Sequence, residues 1–594
     1  MNEQAILHVP DSRFCFATKM DELVLRLRTD KNDKLKVNLI SACKYDFALK
    51  REITELEIKY TDRYFNYYEI KLKLNDVRFA YVFEIIENEN IYYYSEDGIT
   101  ESYNFELGFY NFFQMPYINK NDVMKTVDWM RNAVFYQIFV ERFNRGIEDK
   151  TDGYINMKWG DLPTPKSFAG GDIPGITKKL DYLKDLGINV LYLTPIFKSI
   201  SNHKYDIIDY KLVDEQFGTN EDFKELVEKA HKKGIKIVLD AVFNHCSMLS
   251  DKFQDVIRNG RDSKYYDWFI VYDDKVDVKR CNYECFAACN YMPKWNTSNK
   301  EVQEFLLDVA LYWIKEYKID GWRLYVSDEV SHDFWKKFRS AVKEYNEDVV
   351  IIGENWHDAY PYLQGDEYDS IMNYSFTKAC LDFFAFNKFS AKDLSCKLNE
   401  ILMRNTEQVN SMMLNLLDSH DTHRFYTETG KNRNKVLAAI ALEMVFPGAP
   451  SIYYGTEILM EGGYDPDSRR CFDWNEKHHD KEVLGKIKEL IKLRNMEEVM
   501  YGDIKIWSRD DILYLARKHN EKTLIFAMNF SGKDKQINLL NEYTNVYDIN
   551  QNKVSDRTDT YSSMEILLES IKHRENSLVD SYILCNEGFV FANV

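Results

Sequence analysis

Two styles of hydrophobic patterning divide the chain. In the first, apolar and polar positions alternate with a period of two. Leu23-Val24-Leu25-Arg26-Leu27-Arg28 and Glu69-Ile70-Lys71-Leu72-Lys73-Leu74 show it, and Arg78–Ile86 and Ile91–Tyr94 continue it. No helical period interrupts this region, which predicts an all-β sandwich. After Trp129 the style changes to short apolar runs separated by amphipathic stretches. The runs are Val134–Val140, Val190–Phe197, Ile235–Phe243, Gly321–Ser327, Val349–Glu354, Ser370–Tyr374, Met412–Ser419 and Ala449–Gly455. Between them, Thr219 and Asp222 are spaced as a capping box before Phe223, Leu226, Val227 and Ala230, with Gly234 as the stop. Phe305, Leu306, Val309, Trp313, Ile314 and Tyr317 form a second apolar stripe. Eight runs alternating with helices predict a parallel (β/α)8 TIM barrel. The stretch 246–298 is too long for a plain loop and predicts a small inserted domain. The strand style returns in Ile512–Ala516 and Thr523–Asn529. The expected fold class is thus α/β, with N-terminal and C-terminal β-sandwich domains flanking the barrel. The expected domains are 1–122, 123–504 and 505–594.

Charge and composition narrow the function. Lys and Arg number 78 against 96 Asp and Glu, a net charge of −18. Such a surface has no general attraction for phosphate backbones, so nucleic acid is not an expected partner. No apolar run approaches a membrane-spanning length, so no membrane partner is expected either. The start, Met1-Asn2-Glu3-Gln4, lacks the basic and apolar regions of a signal peptide, and the ten cysteines are scattered; both suggest reduced thiols and a cytoplasmic setting. Cys281, Cys285 and Cys289 have no evident fourth ligand and are expected to be ordinary thiols. The 41 Tyr, 36 Phe and 10 Trp suit carbohydrate stacking and large cores equally.

Barrels of this kind place working residues at the C-terminal ends of their strands. Polar residues gather at four of those ends: Asp240, Asn244 and His245; Arg323 to Glu329; Glu354 to Asp358; and Asp418 to Asp421. Carboxylates, imidazoles and a guanidinium together suit glycoside hydrolysis, which needs an acid for the leaving oxygen and a carboxylate for the oxocarbenium-like centre. A Gly-rich phosphate loop and a His-Glu-x-x-His motif are both missing from the sequence, which disfavours phosphoryl transfer and zinc proteolysis.

These residues resemble the α-amylase family, glycoside hydrolase family 13, and most closely its neopullulanase, cyclomaltodextrinase and maltogenic amylase branch. Leu25-Arg26-Leu27-Arg28-Thr29 resembles that branch's N-terminal starch-binding-type module. Pro116-Tyr117, Phe135-Tyr136-Gln137-Ile138, Gly170-Gly171-Asp172, His203-Lys204-Tyr205-Asp206, Met292-Pro293-Lys294-Trp295 and Glu461-Gly462-Gly463-Tyr464-Asp465-Pro466-Asp467 match it in order. The resemblance implies Glu354 as general acid/base and Asp421 as the carboxylate gripping the distorted sugar. It implies that Arg323 orients the nucleophile, that His203, His245 and His420 bind the sugar, and that Tyr205 stacks on it. Glu329 and Trp356 would line the acceptor side, and Asp465 and Arg469 the donor side.

One position departs from the family. Its strand-four motif Gly-x-Arg-x-Asp ends in the nucleophile, and Tyr325 stands there. A phenol of pKa about 10 is mostly protonated at neutral pH. Three alternatives follow: a pseudoenzyme that holds α-glucans without cleaving them; an altered enzyme using Tyr325 as sialidases use tyrosine, or Asp328 as the missing charge; or a substitution in an otherwise active α-glycosidase. On an alternating strand, Asp328 is expected to face away from Tyr325. The resemblance further implies cyclodextrins, pullulan and maltooligosaccharides as α-glucan partners and a homodimer. It requires no cofactor, but implies a possible structural calcium at Asn144, Asp149, Gly170 and Asp172.

Overall fold

The computed structural model describes residues 1–147, 150, 153–539, 558–559 and 581–593, which form two compact units. One consists of Met1–Thr126, Lys388–Asn410 and Asp503–Val594; the other of Val127–Asn387 and Ser411–Gly502.

In the first unit, nine N-terminal strands pair antiparallel, from Cys15–Lys19 and Glu22–Asp30 through to Gly98–Thr100, with Phe113–Met115 on the strand Phe79–Glu87. Leu23, Leu25, Leu27, Val37, Leu39, Tyr81 and Phe83 fill the core between the layers, as the period-two pattern requires. Arg26, a polar position of the alternating run, is buried. The strand register sets it opposite Glu69, whose carboxylate it meets at 2.7 Å, and it also donates to the Asn405 carbonyl at 2.9 Å. The pairing is what permits a guanidinium there. The C-terminal part has a four-stranded antiparallel sheet, Asp503–Arg509, Ile512–His519, Lys522–Asn529 and Gly588–Asn593. The helix Ala391–Met403 packs on this sheet, so Lys388–Asn410 groups with the terminal β domains although it falls inside 123–504.

The second unit is the barrel. Its strands are β1 (Phe135–Ile138), β2 (Val190–Leu193), β3 (Lys236–Ala241), β4 (Gly321–Leu324), β5 (Val350–Gly353), β6 (Ser370–Ile371), β7 (Leu414–Leu416) and β8 (Ala449–Tyr453). All pair parallel in the order β6-β5-β4-β3-β2-β1-β8-β7, and a bridge between Met372 and Leu414 joins the two ends. Nearly every strand residue is buried, as parallel strands covered on both faces must be. The capping box forms as expected, opening the helix Asn220–Lys232 between β2 and β3. Lys300–Tyr317 carries the aromatic stripe before β4. Between β3 and that helix lies the insertion, with a helix Asp251–Asn259 and short bridges such as Cys285 to Pro293.

Candidate active site

Strand register assembles the site. Asp240 of β3 and Arg323 of β4 are paired neighbours, as are Leu324 and Gly353 of β4 and β5, so Tyr325 and Glu354 emerge side by side one residue later. His420 and Asp421 follow the end of β7.

Arg323 is the hub. It is fully buried, its Nη1 donates to both Asp240 oxygens at 3.0 and 2.9 Å, and its Nη2 lies 2.7 Å from Glu354 Oε1. Glu354 Oε2 accepts from the Val326 amide at 2.9 Å. One guanidinium facing several buried carboxylates leaves an excess of negative charge, and a proton relieves it. Burial, with Asp421 nearby and Arg323 opposing, pushes Glu354 up to about 7. Burial likewise raises Asp240 against the pull of Arg323. Glu354 therefore carries a donatable proton near neutral pH, the property a general acid needs.

A second network crosses the barrel mouth. Gln137 Nε2 lies 2.7 Å from His420 Nδ1, His420 Nε2 2.7 Å from the Tyr205 hydroxyl, and that hydroxyl 2.9 Å from Asp240 Oδ2. One proton arrangement satisfies the chain: Gln137 donates to His420, His420 to Tyr205, and Tyr205 to Asp240. Burial pushes His245 down to about 3 and His203 to about 4, and holds His420 well below its ordinary value. All three imidazoles are thus neutral hydrogen-bonding groups at pH 7. Asp421 Oδ1 meets Arg469 Nη2 at 3.3 Å. Its Oδ2 lies 3.2 Å from His420 Nε2 and 4.0 Å from Arg323 Nη2, in hydrogen-bond geometry with neither. That buried acceptor is a place for a ligand hydroxyl.

Tyr325 occupies the middle of this group. Its ring packs on Tyr205 at 4.3 Å between centroids and lies 5.2 Å from the Arg323 guanidinium, 5.7 Å from Phe286 and 5.9 Å from His245. Burial, then the charges of Asp421 and Glu354, hold its phenol far above the ordinary tyrosine value; Arg323 only partly opposes them. The ring is therefore a neutral group beside Glu354 and Asp421.

Tyr325, Glu354, Asp421, Trp356 and Glu329 line one cavity of about 720 Å³. Trp356, 47% exposed, stacks on Tyr374 at 3.7 Å. Glu329 pairs with Lys294 at 3.1 Å at the rim, and Asp465 with Arg469 at 3.1 Å. Asp328 lines the same cavity, contrary to the expectation that it faces away from Tyr325. The strand ends at Leu324, and Val326 turns into the left-handed region at φ 48°, so alternation no longer applies. The cavity also includes Phe286 from the insertion and His423 and Tyr464, which sequence reasoning did not single out. In the sequence Gln137 is only one member of the motif Phe135–Ile138; its support of His420 arises because β1 and β7 share a barrel.

The implied calcium donors have a different occupant. Asp172 Oδ1 accepts from the Gly146 and Gly175 amides at 2.8 and 2.7 Å, and Oδ2 meets Lys150 Nζ at 2.8 Å. The same ammonium donates to the Gly170 carbonyl at 3.3 Å and the Gln216 carbonyl at 2.6 Å. Asn144 spends its amide on the Gly175 carbonyl at 3.0 Å. A buried internal cation already sits among these oxygens, so the described donors do not fit a resident divalent ion. Asp149 lies outside the described residues.

Residues 137–523 match the family described as Alpha amylase, catalytic domain, and residues 1–119 that described as Alpha amylase, N-terminal ig-like domain. The Cyclomaltodextrinase of Thermoanaerobacter pseudethanolicus is 43% identical over 556 residues, covering 92% of this chain and 96% of that protein. Neopullulanase 2 of Thermoactinomyces vulgaris is 40% identical, covering 85% and 87%. A solved structure of a Cyclomaltodextrinase superposes with a TM-score of 0.86 at 36% identity, covering 90% of this chain and 93% of that one. The chain belongs to the α-amylase family, in its cyclomaltodextrinase and maltogenic amylase branch.

Proposed function

We propose that this chain binds α-glucans of the cyclodextrin, pullulan and maltooligosaccharide class at the barrel mouth, and that its retaining hydrolysis of α-1,4 and α-1,6 bonds is impaired at the first step. The observation that carries this is the Tyr325 ring, neutral and packed on Tyr205, beside an otherwise well-formed acid, guanidinium and carboxylate cluster. In the proposed chemistry Glu354 gives its proton to the glycosidic oxygen, while Asp421, Arg323, His245 and His420 hold the distorted sugar. The bond to C1 that a strand-four carboxylate makes in retaining enzymes has no anionic partner at this position. A phenol held far above its ordinary pKa is a poor nucleophile, which disfavours the sialidase-like alternative. A glucan-binding protein without turnover remains the second reading, favoured by the same ring.

The two readings differ in product. The purified protein is incubated with β-cyclodextrin, maltotriose and pullulan, and both binding and released sugar are measured. Binding with slow release supports the impaired hydrolase; binding with no release supports the pure binder; absence of binding overturns both. A homodimer in a cytoplasmic setting, with no nucleic-acid or membrane partner, completes the proposal. Light scattering of the purified chain checks the dimer.

A further inference from the structure

The inserted segment carries a pair of thiols beside the cavity wall. Cys281 and Cys285 Sγ atoms are 3.8 Å apart. Neither sulfur is sealed in the core; both residues are half-buried. Tyr283, between them, is buried and donates to the Asn290 carbonyl at 2.6 Å, and Cys285 bridges to Pro293, so the turn that presents the sulfurs to each other is anchored at both sides. The third thiol, Cys289, lies against the Tyr291 hydroxyl and also close enough to Cys285 to help raise it. Phe286 directly follows Cys285. Its ring lines the cavity, 4.9 Å from His245 and 5.7 Å from Tyr325.

We propose that Cys281 and Cys285 form a redox-active dithiol site which a peroxide or a small-molecule disulfide closes into an intrachain disulfide, and that this bond displaces Phe286 in the wall of the glucan cavity. Bringing the sulfurs from 3.8 Å to bonding distance closes a gap of about 1.8 Å. Phe286 is half-buried and joined directly to Cys285, so a backbone adjustment that seats the bond reaches its ring. With hydrogen peroxide, the Cys281 sulfur attacks one oxygen and the O–O bond breaks. One water leaves and Cys281 holds a sulfenic acid. The Cys285 sulfur then displaces the second oxygen, which leaves as water with the remaining proton, so two thiols lose two electrons and the peroxide gains them. Burial and the adjacent Cys281 sulfur push Cys285 up to about 11, which suits it as the resolving thiol rather than the attacking one.

The inference rests on the proposed glucan site only for its consequence, and the experiment separates the two. The full chain is treated with hydrogen peroxide, then with dithiothreitol. Peptide mapping locates the link, and hydrogen exchange follows the peptides containing Phe286 and Tyr325. The expected result is a Cys281–Cys285 link, reversible by the reductant, with altered exchange in both peptides and a change of about threefold or more in the β-cyclodextrin Kd. Cys289→Ser keeps the response, whereas Cys285→Ser abolishes it. A link to Cys289, no link at all, or a Cys281–Cys285 link with unchanged exchange overturns the inference. Reduced protein that binds no β-cyclodextrin overturns the proposed function instead, while mapping and exchange still decide this one.

Discussion

In the proposed reading the chemistry of this molecule turns on one side chain, Tyr325. In a retaining glycosidase two carboxyl groups share the work, one as acid and one as nucleophile. In the proposed reading Glu354 is the acid: it is held by Arg323 and the Val326 amide, and burial pushes it up to about 7. In the same reading the neutral phenol of Tyr325 stands at the nucleophile's position. On a Tyr325→Asp background the hydrolysis rate is expected to fall as pH rises through about 7, because Glu354 must be protonated to donate and its folded pKa is raised from 4.5. The introduced carboxylate, a like charge, moves that limb upward rather than downward. A pH–rate profile checks it, and a limb near 4.5 contradicts the assignment. Adding Glu354→Gln to that background is expected to cost on the order of 100-fold or more in kcat on substrates with poor leaving groups, the usual size of a lost general acid. The residues of this site were legible as motifs at four strand ends. Their mutual support was not: the Gln137–His420–Tyr205–Asp240 chain links four distant positions through side-chain geometry that no local pattern encodes.

At the scale of elements, legibility followed periodicity. Eight short apolar runs became eight parallel strands because strands covered on both faces must be apolar throughout. The Thr219 and Asp222 spacing became a capping box because the cap is a local hydrogen-bond exchange. Thr219→Ala is expected to lower stability by about 1 kcal/mol, read as a shift of the denaturant midpoint with unchanged slope. An unchanged midpoint contradicts the cap's role. Where a backbone turn was imposed by the tertiary structure, the pattern misled. Val326 is β-branched, and such residues avoid the left-handed region, yet it sits there at φ 48° and sends Asp328 into the cavity wall. Arg26, a polar position of an alternating strand, is buried because its ion pair lies across the sheet in Glu69.

At the scale of the whole molecule, the sequence order of domains and their spatial grouping differ. The helix Ala391–Met403 sits within the barrel's stretch of sequence but belongs to the unit built from the two chain ends, a grouping that only contacts distant in sequence reveal. Molecular stability also bears on the cation position. Lys150 holds the place among the Asp172, Gly170 and Gln216 oxygens, so chelation by EDTA is expected to leave Tm unchanged, and Lys150→Ala to lower it. A calorimetric scan with and without chelator decides; a drop in Tm on chelation contradicts the ammonium's role. The central claim is that one ring at the strand-four position separates glucan binding from glucan cleavage, and the initial rate of β-cyclodextrin hydrolysis by the unaltered chain and by Tyr325→Asp tests it most directly. A gain on the order of 1,000-fold is expected in the variant. Equal rates in the two proteins, with the unaltered chain already turning over briskly, contradict it.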